Sequence, residues 1–338
     1  MKNKRTLTLE KERIVKVKRI LLLHTGGTIS MSTDQRTGAV KPTDEHPLHQ
    51  YSHLFEENIE ITEEDIFHLP SPHVTLHNML DIQKRLIKAI EEERFDGAVI
   101  THGTDTLEET AYFLDLSLNS PFPIVLTGAM RPTDELGSDG VSNLQNAIWT
   151  ALSNDSKDKG VLVVMNEEIH TARYVTKTHT TNVATFRTPT FGPIGIVSKH
   201  VVRFFQKLVF DETYPVRSIS KNVCLIKAFA GMDSTLFDAL ASTNIDGLVI
   251  EALGAGNLPP ATLPGIKKLL NNNVKIVITS RAFSGIAQDI YAYKGGGKHL
   301  KELGAIFAPG LTGVKARIKL QVILEQDNAD ELIKQCFD

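Results

Sequence analysis

Apolar residues alternate along this chain between two rhythms. Short unbroken runs recur at 20–23 (ILLL), 98–100 (AVI), 124–126 (IVL) and 161–164 (VLVV), and each gives way to small or polar residues. Between them the period lengthens to that of a helix. Leu76, Met79, Leu80, Leu86, Ile87 and Ile90 share one face of 75–93, and Leu107, Thr110, Ala111, Leu114 and Leu118 share one face of 106–118. Apolar strands alternating with amphipathic helices predict a mostly parallel sheet covered on both faces. Residues 166–200, rich in Thr, Gly and Pro, break the rhythm, and an extended excursion or hairpin is expected there. Residues 206–221 read as a linker from their polarity and Tyr-Pro turn signal. Alternation restarts at Val223, with strands near 223–228, 247–250 and 274–279 and helices from Ser234 and Leu263. The expected division is a basic tail over 1–18, an N-terminal α/β domain over 19–205, the linker, and a C-terminal α/β domain over 222–338.

Composition narrows the class. Of 338 residues, 41% are hydrophobic and 23% charged, which is ordinary for a globular protein with a sizeable core. A formal net charge of −3 and the lack of a basic stripe argue against nucleic acid as the main partner. Two distant cysteines, Cys224 and Cys336, give neither a disulfide framework nor a zinc spacing. The run at 20–23 is too short for a signal-peptide core or a membrane span. A cytoplasmic location with no membrane partner is therefore expected.

The chemistry collects where apolar runs end. In an open parallel sheet, ligands bind beyond the carboxyl ends of the strands. At one end stands Thr101-His102-Gly103-Thr104-Asp105-Thr106. Thr106 to Glu109 has the spacing of a capping box, with Asp105 an alternative N-cap. A helix start also faces bound anions, so capping and ligand binding are compatible. A second end carries Thr25-Gly26-Gly27-Thr28, where paired glycines permit a tight turn and close approach. No Gly-Lys-Ser/Thr and no Gly-x-Gly-x-x-Gly is present there, so nucleotide loops fail. The late Gly295-Gly296-Gly297 reads as a flexible loop. A third end carries Thr127-Gly128-Ala129-Met130-Arg131-Pro132. Small residues, hydroxyls and free backbone suit a compact polar ligand and acyl transfer, which needs a nucleophile, a proton acceptor and an oxyanion site.

TGGTI at 25–29 with HGTDT at 102–106 resembles the signature pair of the bacterial-type L-asparaginases, including the glutaminase-asparaginases. TGAMRP at 127–132, SDGVSNLQNA at 138–147, GVLVVMN at 160–166 and VTKT at 175–178 extend the likeness in the family's order, over nearly the whole chain from about residue 19. The architecture expected is two α/β domains, the larger N-terminal one with a flavodoxin/Rossmann-like, mostly parallel sheet and the smaller C-terminal one with a parallel sheet. The resemblance implies hydrolysis of L-asparagine to L-aspartate and ammonia through a threonine acyl-enzyme, with minor glutaminase activity and without metal or cofactor. It also implies a homotetramer of the cytoplasmic type.

Carried over position by position, Thr28 is the nucleophile, and Thr104, Asp105 and Lys177 form a proton-handling network across the substrate. Lysine accepts a proton only in its neutral form, which burial favours and a nearby carboxylate disfavours, so the three behave as one coupled set. Asp105 also pairs with the substrate ammonium and Ser71 holds its carboxylate. Backbone groups near Gly27, Thr28 and Thr104 receive the carboxylate and the oxyanion, the Ala129 carbonyl faces the leaving nitrogen, and Asn257 reaches a neighbouring subunit's site. Two departures stand out. No tyrosine lies between Thr28 and Tyr51, where the family carries one, and Pro72 replaces a polar residue after Ser71. Tyr51 and Tyr291 are the candidate substitutes for the missing phenol. His46, His49, His53, His68, His73 and His77 crowd one region without the spacing of a zinc helix. His102 is expected to orient its loop. The alternatives are an ammonia-releasing subunit of a tRNA-dependent amidotransferase and a non-catalytic amino-acid sensor on the same scaffold. Asparagine and glutamine differ by one methylene, worth about 1–3 kcal/mol in a fitted pocket, so the sequence leaves their ranking open.

Overall fold

The computed structural model describes residues 17–33, 40–42, 58–209 and 212–337. Strands run in chain order as β1 (Lys18–His24), β2 (Met31–Thr33), β3 (Val40–Pro42), β4 (Ile59–Asp65), β5 (Gly97–Thr101), β6 (Ile124–Thr127), β7 (Val161–Met165), β8 (Glu168–Thr171), β9 (Thr176–Lys177), β10 (Phe186–Arg187), β11 (Gly195–Ser198) and β12 (Val201–Phe204). The C-terminal domain adds β13 (Val223–Lys227), β14 (Gly247–Ala252), β15 (Lys275–Ser280) and β16 (Ile306–Phe307). The helices are α1 (Leu76–Glu92), α2 (Leu107–Ser117), α3 (Gly140–Leu152), α4 (Thr235–Leu240), α5 (Leu263–Asn271), α6 (Gly297–Glu302), α7 (Gly313–Leu324) and α8 (Ala329–Cys336).

The large sheet has the order β12-β11-β8-β7-β6-β5-β1-β4. Its five parallel strands, β4-β1-β5-β6-β7, follow the flavodoxin-like order 2-1-3-4-5 when counted along the chain. The expected excursion after β7 becomes an antiparallel extension, β8 with the β11–β12 hairpin, plus the small β9–β10 ribbon. The second domain is a fully parallel sheet, β13-β14-β15-β16.

Unbroken apolar runs form these strands because both faces are covered. Within β1, Leu21 and Leu23 join the layer under α1 and α2, while Ile20 and Leu22 join the layer under α3. The first layer does not stop at the domain boundary: Tyr112 and Phe113 of α2 share one apolar cluster with Val249, Val277, Ile318 and Leu320. Helix α7 is the common wall, packed on α2 on one side and on β13, β14 and β15 on the other. The connection over 206–221 is likewise pinned among its described residues. Tyr214 and Val216 are buried, the Tyr214 N–H donates to the Leu116 carbonyl (2.7 Å), and Gln83 Nε2 donates to the Val216 carbonyl (3.2 Å). Among the described residues no helix is long and apolar enough to cross a membrane.

Two local expectations are corrected. Thr106 is the N-cap of α2 but caps nothing with its side chain, which donates instead to the Ser71 carbonyl at 2.9 Å. A capping box does form one helix earlier, between Thr75 and Asn78 of α1. The triple glycine is not a loose loop either: Gly297 opens α6, and a Cβ on Gly296 would sit 2.3 Å from the Tyr291 carbonyl oxygen. That backbone is glycine because it is packed against other backbone.

Candidate active site

The switch point of a 2-1-3-4-5 sheet lies between its first and third strands, here β1 and β5, which pair directly. Gly26 and Gly27 follow β1 with φ of 99° and 86°, the left-handed region that side chains avoid. A Cβ on Gly27 would lie 2.2 Å from Gly103 Cα, and one on Gly103 would lie 2.7 Å from Ser71 Cβ. Three segments thus meet nearly backbone to backbone, and each carries a candidate residue beside the contact. Thr28 follows Gly27 and opens a short 3₁₀ turn, half-buried. Thr104 follows Gly103 and is buried. Ser71 Oγ accepts the Asp105 N–H at 3.1 Å. Pro72 sits early in the turn Ser71–His73, where a missing N–H costs nothing.

Lys177 reaches this point from β9. Its Nζ donates to Thr104 Oγ1 at 2.9 Å and to Asp105 Oδ1 at 2.7 Å. The lysine side chain is mostly buried and the aspartate half-exposed, at 16% and 56%. One end of the network is therefore shielded while the other faces solvent. His102 beneath it is fully buried, its ring nitrogens 2.8 Å from the Gly103 carbonyl and 3.0 Å from Thr110 Oγ1. Burial pulls its pKa down to about 4, so the ring is neutral near pH 7 and acts as a hydrogen-bonding strut.

Several supporting residues carried no assigned role in the sequence reading. His24, the last residue of β1, is fully buried, 2.7 Å from Thr101 Oγ1 on β5 and 2.6 Å from Glu63 Oε1 on β4. It ties three strand ends together under the glycine loop. Asp139, at the start of α3, accepts the Met130 and Arg131 N–H groups at 3.0–3.1 Å. Asn143, one turn later, donates to the Gly128 carbonyl at 3.0 Å. These two residues of the SDGVSN stretch hold the third loop, which places buried Ala129. That loop also grips the first, since Thr133 Oγ1 donates to the Ile29 carbonyl at 3.1 Å.

Comparison with known proteins identifies the family. Residues 19–210 match the family model "Asparaginase, N-terminal", and residues 222–337 match "Glutaminase/Asparaginase C-terminal domain". The chain belongs to the asparaginase family. It is 36% identical over 321 residues to an L-asparaginase of Bacillus licheniformis, covering 95% of this chain and 99% of that protein. It is 38% identical over 325 residues to a protein of Deinococcus radiodurans named "Probable L-asparaginase", covering 94% and 97%. A crystal structure of a protein from Campylobacter jejuni named "Probable Cytoplasmic L-asparaginase" superposes with a TM-score of 0.81 at 30% identity, covering 94% of this chain and 98% of that one.

The remaining asparaginase positions lie apart from this cluster. Asn257 sits in the second domain, where its Oδ1 accepts the Gly297 N–H at 3.2 Å and its backbone bridges to Leu253. Tyr291 is 45% exposed on that domain, with its ring centroid 5.5 Å from that of Tyr293. Among the described residues, no hydrogen bond or ion pair joins either residue to Thr104, Asp105 or Lys177 within one chain. Tyr51 falls outside the described residues, as do His46, His49 and His53. His68 stands 3.6 Å from Asp65. Among the described residues no three histidine, cysteine or carboxylate side chains group closely enough to hold a metal ion.

Proposed function

We propose that this protein hydrolyses the side-chain amide of L-asparagine to L-aspartate and ammonia through an ester on Thr28. The observation that carries the reading is Lys177 Nζ bridging Thr104 Oγ1 and Asp105 Oδ1 at the switch point, one glycine contact away from Thr28. The Thr28 hydroxyl adds to the amide carbon and its proton passes to the departing nitrogen, which leaves as ammonia. Water then adds to the ester carbonyl, its proton returns to Thr28 Oγ1, and aspartate is released. A hydroxyl needs a neighbouring group to take its proton. The Thr104–Lys177–Asp105 set supplies that path as one coupled unit. Asp105 meets the substrate α-ammonium, and Ser71 with the backbone around Gly27 meets the α-carboxylate. The Ala129 carbonyl faces the amide nitrogen. Both cysteines are free and the Campylobacter protein is named cytoplasmic, which supports a cytoplasmic setting. Exposed Phe283, Ile290, Tyr291 and Tyr293 on the second domain support assembly into a homotetramer, with Asn257 and Tyr291 directed to a neighbouring subunit's site.

The deciding measurement is steady-state ammonia release from asparagine and from glutamine by wild type, Thr28→Ala and Thr104→Val. Asparagine turnover that both substitutions lower by about 100-fold or more supports the reading, a size typical of a lost proton-transfer group. A wild-type protein that releases no ammonia, or a Thr28→Ala protein that keeps wild-type turnover, refutes it.

A further inference from the structure

One buried carboxylate close to the network takes no part in the chemistry just described. Glu108 lies in the first turn of α2, four residues beyond Thr104, and is 7% exposed. Its Oε1 accepts two hydrogen bonds from β9, one from Thr176 Oγ1 at 3.0 Å and one from the Lys177 backbone N–H at 3.1 Å. The Lys177 side chain then runs back to Thr104 and Asp105, on the loop that leads into the same helix. The contacts close a ring: helix start to β9 backbone through Glu108, and β9 back to the helix start through Nζ.

We propose that Glu108 is a positioning residue that, through its two hydrogen bonds to β9, fixes Lys177 Nζ against Thr104. The inference rests on the reading that Lys177 handles protons in amide hydrolysis.

Without that ring, β9 is a two-residue strand paired only with β10, and an ammonium on a four-carbon stem has no fixed place to point. A catalytic group displaced by about 1 Å loses on the order of 100-fold in rate. Lys315 of α7 is fully buried in the same interface and donates to the Ala172 carbonyl. Burial raises the Glu108 carboxyl, and the nearby Lys315 charge opposes that rise. Burial likewise pulls the Lys315 ammonium down to about 8, against the opposing pull of Glu108, Asp115 and Glu109.

The test compares Glu108→Ala, Glu108→Gln and Lys177→Met with wild type in ammonia release from asparagine, with thermal midpoints measured in parallel. Glu108→Ala is expected to lower kcat at least tenfold with KM within twofold of wild type, the signature of an interaction made only in the transition state. Glu108→Gln keeps an Oε1 acceptor for both donors and is expected to recover most of that turnover, even with a lowered thermal midpoint. Thr176→Val removes one donor and is expected to lower kcat about threefold, which keeps the test open if Glu108→Ala does not fold. The inference is overturned if Glu108→Ala or Thr176→Val has wild-type kcat, or if Glu108→Gln falls as far as Glu108→Ala. A Lys177→Met protein as active as wild type overturns the reading beneath it instead. An inactive Lys177→Met beside a fully active Glu108→Ala overturns this inference alone.

Discussion

The contact between the two glycine loops offers the sharpest quantitative test, through Gly27→Ala. A Cβ there would stand 2.2 Å from Gly103 Cα and 2.4 Å from Gly103 N, both backbone atoms that no rotamer change can move aside. Ordinary contact begins near 3.4 Å, so the loops must part by about 1.2 Å, the difference between 3.4 and 2.2. Two costs follow. Holding alanine at a φ of 86° costs about 1–2 kcal/mol, and overpacking a tight contact costs about 1–3 kcal/mol more. Against a typical stability of about 5–15 kcal/mol the protein still folds. Activity is hit harder, because Thr28 and Thr104 lie on opposite sides of the opened seam. A displacement of about 1 Å lowers the rate on the order of 100-fold. Gly231→Ala is the control: its φ of 78° is equally unfavourable, yet nothing lies within 4 Å of the added Cβ. Thermal midpoints and ammonia-release kinetics on both proteins separate strain from displacement. Gly27→Ala with kcat within threefold of Gly231→Ala would mean that the two loops do not share one reaction centre.

Two further substitutions probe the network and a buried carboxylate near the far end of α2. Lys177→Met keeps volume but removes the Nζ donor to Thr104 Oγ1, so kcat should fall about 10²–10⁴-fold with KM little changed; a loss under tenfold removes Lys177 from the chemistry. Asp115, which accepts the Val161 N–H at 2.7 Å, has its carboxyl pushed by burial from 3.8 up to about 6. The raised value means the folded protein takes up this proton before the unfolded chain does, so its contribution is fully present below pH 3.8 and lost as pH rises through 6. Asp115→Asn should therefore raise the thermal midpoint at pH 8, by at most about 3 kcal/mol in stability, and give no gain at pH 3.5. Equal shifts at both pH values would contradict that linkage.

The three loops at 25–28, 101–106 and 127–132 were legible for a topological reason, whereas Ser71, Lys177, Asn257 and Tyr291 were singled out only by the family resemblance. Strands β1, β5 and β6 are buried on both faces, so their sequences are apolar until the strand ends, and the change of composition marks where a ligand has room. What surrounds those ends was less legible, because tertiary partners outbid local signals. Thr106 to Glu109 has capping-box spacing, yet the Thr106 hydroxyl is taken by the Ser71 carbonyl, 35 residues away in sequence. Glu108 and Glu109 turn instead into the domain interface, where Lys315 and Arg317 wait. Helix α7 misleads in the same way. Its Lys315 and Lys319 are four residues apart, a spacing that normally marks a solvated stripe. Here α7 is walled by α2 on one side and by a sheet on the other, so the stripe is buried. Lysines are rarely fully buried without a partner. Their burial therefore implies acidic partners across the interface, and the structure supplies them in Glu108 and Glu212. Glu212 is also paired with Arg173, so charges that look like surface in the sequence line a polar seam through an apolar core. One end of that seam, Glu108, accepts the Lys177 backbone N–H at 3.1 Å, so the helix packed against α7 is also the one that holds β9.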